Sequence, residues 1–234
     1  MTDLVYVISA GAAKGLVEAV RDDFEQASSC TIEAQFGAVG AMKEALLQGA
    51  PCDVLILTQR MLEDLAREDM IEPDSMRALG RVYTGIAVPA GTTHPDIHDA
   101  PALARALSRA SAIYFPDPQR ATAGIHFAKV IAQLELSQAL AARLRPFPNG
   151  ATAMRAMADA RDPDAIGCTQ ASEILYTRGV ELAGVLPNTF ELSTVYSACV
   201  CRSAQSPLPG RQFIELLAGP DSKSLRERGG FMPV

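Results

Sequence analysis

Three short loops of small residues carry the groups best placed to do chemistry in this sequence. They span 9–13, 38–41 and 121–125, each contains a glycine, and each runs into a helical pattern. A helix start offers backbone N–H groups without intrahelical partners at the positive end of the helix dipole, which suits an anion. Glycine lets the backbone come close to such a ligand. The candidate contacts on these loops are Ser9, Ala10, Gly11, Ala38, Val39, Thr122, Ala123 and Gly124. Arg120 just precedes the third loop, where a guanidinium either clamps a carboxylate or stays solvated at the surface. Thr122 is expected to N-cap the helix that follows, the other role open to it being a hydroxyl contact to the ligand. His126 sits at the start of that helix, one residue before an apolar stripe opens at Phe127. It is either a structural histidine or an acid–base group facing the ligand.

Gln170 follows a buried strand and has both a donor and an acceptor with which to read a polar edge. Glu173, three residues on, is expected to support the N-terminus of a short helix. Tyr196 reads as a core residue, and His94 and His98 as exposed loop positions. Other chemistry is missing its parts. No Gly-Lys-Ser/Thr follows any of the loops, so none is a P-loop. Nothing places a base beside Ser9, and no Ser/His/Asp order makes a triad. The five cysteines, Cys30, Cys52, Cys168, Cys199 and Cys201, are scattered and odd in number. Cys199 and Cys201 share one strand face, but no zinc-type spacing surrounds them, so neither a metal site nor a cofactor is expected.

The elements that position these groups alternate along the chain. Buried strands are expected at 4–8, 31–36 and 53–57, with helices after each whose apolar residues recur on one face, such as Leu16, Val17, Val20 and Phe24. The pattern restarts after residue 80. Strands at 83–89, 112–115, 165–168 and 180–186 are interleaved with helices at 101–110, 127–134 and 151–160, and a long apolar strand at 194–201 precedes the last helices. Alternation at this spacing implies crossovers and mainly parallel sheets. The expected fold is α/β with two Rossmann-like lobes, residues 1–84 plus 197–234 and residues 85–196, joined by crossing hinge strands with the ligand cleft between the lobes.

Composition bounds the function. The chain has 234 residues, 48% hydrophobic, with 21 Lys+Arg against 27 Asp+Glu and a formal net charge of −6. There is no basic stripe for nucleic acid. No apolar stretch reaches the ~20 residues of a membrane span, so membrane insertion is not expected. No basic n-region precedes the first apolar run and the cysteines look unpaired. The chain as it stands therefore reads as cytoplasmic, and as periplasmic if a signal peptide has been removed.

Several motifs, taken in order, resemble the type 2 periplasmic-binding-protein fold and its molybdate-binding-protein-like branch. They are ISAGAA at 8–13, FGAVG at 36–40, QGAPCDV at 48–54, DPQRATAG at 117–124, IGCTQASE at 166–173, and the final helix leading to Gly229, Gly230 and Phe231. The resemblance implies two lobes and a bound solute. Oxyanion-binding members supply a serine hydroxyl from each of the first two loops, where this sequence has Gly11 and Val39. Where they carry a tyrosine in the fourth, it offers Thr169 or Gln170. The expected ligand is therefore a small anionic or carboxylate-bearing molecule other than molybdate, with an ABC permease as partner if the protein is exported. The other reading is a cytoplasmic enzyme on the same scaffold, moving a proton on a small unsaturated or keto acid as an isomerase does, with His126 as its catalytic group.

Overall fold

The computed structural model describes residues 3–234. In chain order the elements are β1 (Asp3–Ala10), α1 (Lys14–Ser28), β2 (Cys30–Gly37), α2 (Val39–Leu47), β3 (Val54–Thr58), α3 (Gln59–Arg67), β4 (Arg77–Pro89), α4 (Ala100–Arg109), β5 (Ile113–Pro116), α5 (Thr122–Gln133), α6 (Ser137–Leu140), β6 (Leu144–Phe147), α7 (Gly150–Ala160), β7 (Ile166–Gln170), α8 (Ala171–Tyr176), β8 (Val180–Val185), β9 (Ser193–Val200), α9 (Pro207–Ala218) and α10 (Lys223–Arg228). Two compact units result. Unit 1 holds the residues up to Val82 together with Thr194–Val234, and unit 2 holds Tyr83–Ser193. The chain passes between them inside β4 and at the start of β9.

In unit 1, β1 lies between β2 and β3 and is parallel to both, and β9 adds antiparallel to β3. Every residue of Val54–Leu57 is buried, as a strand covered on both faces requires. Leu16, Val17, Val20 and Phe24 form the buried stripe of α1, and Phe24 meets Phe213 of α9 edge-on with ring centroids 5.0 Å apart. Asp53 is 1% exposed. Its carboxylate accepts from the backbone N–H groups of Tyr6, Gln205 and Ser206 at 2.7, 2.7 and 2.8 Å. A buried carboxylate is stable when charge-assisted hydrogen bonds replace its water, and here those bonds tie β1 and the connection after β9 to the start of β3. The QGAPCDV turn therefore owes its aspartate to folding. Tyr196 is buried beside Phe231, ring centroids 6.4 Å apart.

In unit 2, β5 is parallel to β6 and β7, while β4 runs antiparallel to β7 and β8. Leu103, Leu107, Ile113, Phe127, Val130 and Ile131 lie in its main core. Two strands differ from the sequence expectation. β4 begins at Arg77, well before the apolar run at 83–89: Arg77 and Ala78 are exposed and Leu79 and Gly80 buried, so no continuous apolar stretch marks its start. β6 was not foreseen: Leu144–Phe147 is a short strand of mixed, half-exposed residues with no apolar run to betray it. The architecture is α/β, with sheets that are mostly parallel.

Candidate ligand-binding site

Parallel strands align their carboxyl ends, and in open α/β sheets ligands bind outside those ends. Here β1, β2 and β3 in unit 1, and β5, β6 and β7 in unit 2, each lead into a helix start. Two of those starts are closed by their own side chains. Thr58 Oγ1 accepts from the Met61 N–H, and Asn149 Oδ1 accepts from the Thr152 N–H at 2.9 Å. The starts at Ala10, Ala38, Ala121 and Gln170 have no side-chain cap. Their first-turn N–H groups are the donors left for another acceptor. These four uncapped starts coincide with the loops at 9–13, 38–41, 121–125 and 166–173 singled out in the sequence.

The fourth loop carries the most distinctive feature. Gln170 is 3% exposed, and neither its Nε2 nor its Oε1 has a protein hydrogen-bond partner. Ser172 Oγ and Thr84 Oγ1 are buried and unpartnered in the same way. Thr84 stands opposite Gln170 in the β4–β7 register, which puts both side chains on one face of the sheet. Buried polar groups in folded proteins are nearly always paired, so such a cluster calls for an explanation, and a polar ligand supplies one.

Thr169 and Glu173 are committed elsewhere. The Thr169 hydroxyl donates to Glu173 Oε2 at 2.5 Å. The backbone N–H groups of Gly150, Ala151 and Gln170 lie close enough to the same carboxylate to pull its pKa down. Glu173 is in the first turn of the short helix α8, as the sequence reading expects, and its carboxylate also lies against Gly150 at the start of α7. Burial raises its pKa above the ordinary carboxylate range, against the pull of those donors. Gly150 is required for this arrangement, because a Cβ there would overlap the Glu173 carboxylate and the Thr169 hydroxyl.

The third loop needs one correction. Thr122 does not cap α5: the N-cap is Ala121, whose carbonyl accepts from the Ile125 N–H at 2.9 Å, and Thr122 is the first helical residue. The helix opens early because Asp117 folds the preceding turn, its Oδ1 accepting from the N–H groups of Gln119 and Arg120 at 2.7 and 3.1 Å. Arg120 is exposed. Gly124 is buried against this turn, and a Cβ on it would overlap the carbonyl oxygens of Pro116 and Asp117. Ala123 is buried next to it. His126 is half-buried, with Nε2 2.7 Å from the Phe190 carbonyl oxygen. A carbonyl only accepts, so Nε2 carries the hydrogen and the neutral ring keeps its lone pair on Nδ1.

In unit 1, Ser9 is fully buried and its hydroxyl donates to the Ala10 carbonyl at 3.0 Å, leaving the Oγ lone pairs available. Gly11, Ala38 and Val39 are buried at their helix starts. Sequence reasoning missed Lys14. It is the first residue of α1, half-buried, with Nζ 5.5 Å from the centroid of the Phe36 ring near the carboxyl end of β2. Its position directly after the first loop was the available signal. Among the described residues, no group of three or more His, Cys, Asp or Glu could hold a metal ion.

A sequence model of the family described as "Bacterial extracellular solute-binding protein" matches residues 5–232. A Pseudomonas protein named aconitate isomerase is 26% identical over 97% of this chain and 87% of its own length. The Azotobacter vinelandii periplasmic molybdate-binding protein superimposes with a TM-score of 0.78 at 18% identity, covering 98% of this chain and 99% of that one. The sulfate-binding protein SubI from Mycobacterium tuberculosis H37Rv gives 0.74 at 14% identity, covering 99% of this chain and 87% of that one.

Proposed function

The chain belongs to the bacterial extracellular solute-binding protein family and has the type 2 periplasmic-binding-protein fold; from that premise, we propose that it binds a small organic anion bearing carboxylate groups. The observation that carries this reading is the buried, unpartnered Gln170 amide with Thr84 opposite it in the β4–β7 register, and the unpartnered Ser172 hydroxyl two residues on. The uncapped N–H groups at the starts of α5 and α8 add anion donors in unit 2; in unit 1 the first two loops and Lys14 form an anion-favouring set of their own. The same loops present Ala10, Ala38, Val39 and Ala123, whose methyl groups suit a hydrocarbon skeleton better than a tetrahedral oxyanion that is oxygen on every side. Gly11 and Val39 also bring no hydroxyl to such an oxyanion, and each missing donor costs about 1–3 kcal/mol. A thermal-shift panel of molybdate, sulfate and mono-, di- and tricarboxylates tests this. A carboxylate at 100 times its dissociation constant should add about 2.7 kcal/mol of stability, with no shift from molybdate or sulfate. Stabilisation by the oxyanions alone would refute it.

The relative named aconitate isomerase favours a second reading, in which the bound carboxylate is unsaturated and is isomerised. A base removes a proton from the carbon next to the double bond, and the proton returns at the far end of the allylic system. The charge that builds on a carboxylate in between is met by loop N–H groups and the Gln170 amide. His126 is suited to the proton transfer, because Nε2 is anchored on Phe190 and the lone pair lies on Nδ1. Incubation with cis- or trans-aconitate in deuterated water, followed by proton NMR, decides between the readings. Isomerisation with deuterium uptake, lost by about 10²–10⁴-fold in His126→Ala, supports the enzyme. Aconitate recovered unchanged from a saturated complex leaves a receptor, for which a permease partner is then the natural expectation.

A further inference from the structure

Cys52 and Cys201 are both buried in unit 1, and the Cys201 thiol points at Cys52 with the two Sγ atoms 3.3 Å apart. The backbone holds them there. Val54 pairs with Val200 in the antiparallel β3–β9 ladder, and one step further along the Cys201 N–H donates to the Asp53 carbonyl at 2.9 Å. Asp53 is the residue that faces Cys201 in this register and Cys52 lies one residue beyond it; the 3.3 Å between the Sγ atoms is what brings the two thiols within reach of a bond. Cys199 is the nearest competitor, but its thiol is directed to the Leu55 carbonyl at 3.7 Å. Cys52 also lines a surface cavity of about 290 Å³ bounded by Tyr6, Leu46, Pro51 and Gln205, which gives a small oxidant a route to the pair.

We propose that Cys52 and Cys201 are a disulfide site, oxidised by thiol–disulfide exchange when the chain folds in an oxidising thiol environment. One cysteine attacks a disulfide oxidant as its thiolate, giving a mixed disulfide, and the other displaces the leaving thiol. Two S–H bonds break and one Sγ–Sγ bond forms. Two protons leave, and the two electrons reduce the oxidant disulfide to two thiols. Closing the bond from 3.3 Å to about 2 Å is within reach of side-chain adjustment. In the folded, reduced protein the Cys201 hydrogen bond and burial both push the Cys52 thiol up, so thiolate is scarce and the exchange belongs to folding or to an opened state. The bond closes a loop between positions separated by 149 residues that contains all of unit 2. Long loops are those whose closure most restricts the unfolded chain.

The test is refolding of the full chain from denaturant in a mixture of oxidised and reduced glutathione. Thiol titration in denaturant and peptide mass mapping of the folded fraction follow. The five thiols should fall to three, the mass should drop by about 2 Da, and the cross-linked peptides should contain Cys52 and Cys201. The urea midpoint should rise relative to the reduced protein. Cys52→Ser should abolish the bond and the rise, and Cys199→Ser should keep both. Five free thiols, a glutathione adduct in place of the cross-link, or a bond that uses Cys199 would overturn the proposal, and the first three readouts need no variant to fold.

Discussion

Thr84 and Gln170 stand opposite each other across the antiparallel β4–β7 pair, both buried, and no polar atom of either side chain meets a protein partner. Unpaired polar groups in a low-dielectric interior oppose folding, whereas the same groups favour a ligand that completes them. Gln170→Leu should therefore stabilise the ligand-free protein by about 1–3 kcal/mol in urea unfolding while weakening carboxylate binding at least tenfold. A destabilised variant would mean that the amide serves the fold.

Glu173 gives a prediction in pH. Burial raises its pKa in the folded state above the unfolded value. The folded protein then binds more protons than the unfolded chain between those two values, and stability falls as pH rises through that interval. The contribution is most favourable below the ordinary carboxylate range and is lost once pH passes the folded pKa. Glu173→Gln removes the titration, so unfolding measured across about pH 4–8 should show the variant without that decline. Parallel curves for the two proteins would show that Glu173 titrates as it does in the unfolded chain.

Gly124 was read from sequence as a ligand-loop glycine, and the structure adds a packing requirement. A methyl group there would overlap the carbonyl oxygens of Pro116 and Asp117, which are backbone atoms with little room to move. Gly124→Ala should cost about 1–3 kcal/mol in thermal or urea unfolding, the usual scale of overpacking. A fully stable variant would mean that the start of α5 shifts without cost.

The parts of the fold that were legible were those written as continuous patterns. The buried run at Val54–Leu57 and the stripe of α1 announce themselves by composition and period. β6 was illegible because Leu144–Phe147 is short and half-exposed, and its existence depends on β5 offering a parallel edge. At the site, Gln170 was legible as a polar residue ending a buried strand. Thr84 was not, since only the β4–β7 register brings it to Gln170. Thr122 does not cap because a local turn at Asp117, whose Oδ1 accepts from the N–H groups two and three residues on, sets the helix start at Ala121.

Lys14 provides the charge test in unit 1. Its ammonium lies 5.5 Å from the Phe36 ring centroid, and Lys14→Met removes that charge while keeping an unbranched side chain. Affinity for a carboxylate ligand should fall about tenfold and become less sensitive to salt, because a charge-assisted contact is screened and a neutral one is not. Unchanged affinity and salt slope in titrations at low and high ionic strength would remove Lys14 from the site.

The Gln170 cluster is proposed to serve an organic carboxylate. Calorimetric titration of the wild type and Gln170→Leu with cis-aconitate, trans-aconitate and molybdate tests it most directly. At least one aconitate isomer should bind the wild type saturably and the variant at least tenfold more weakly, about 1.4 kcal/mol, and molybdate should not bind. Submicromolar molybdate binding that Gln170→Leu leaves intact, with no heat from either tricarboxylate, would contradict it.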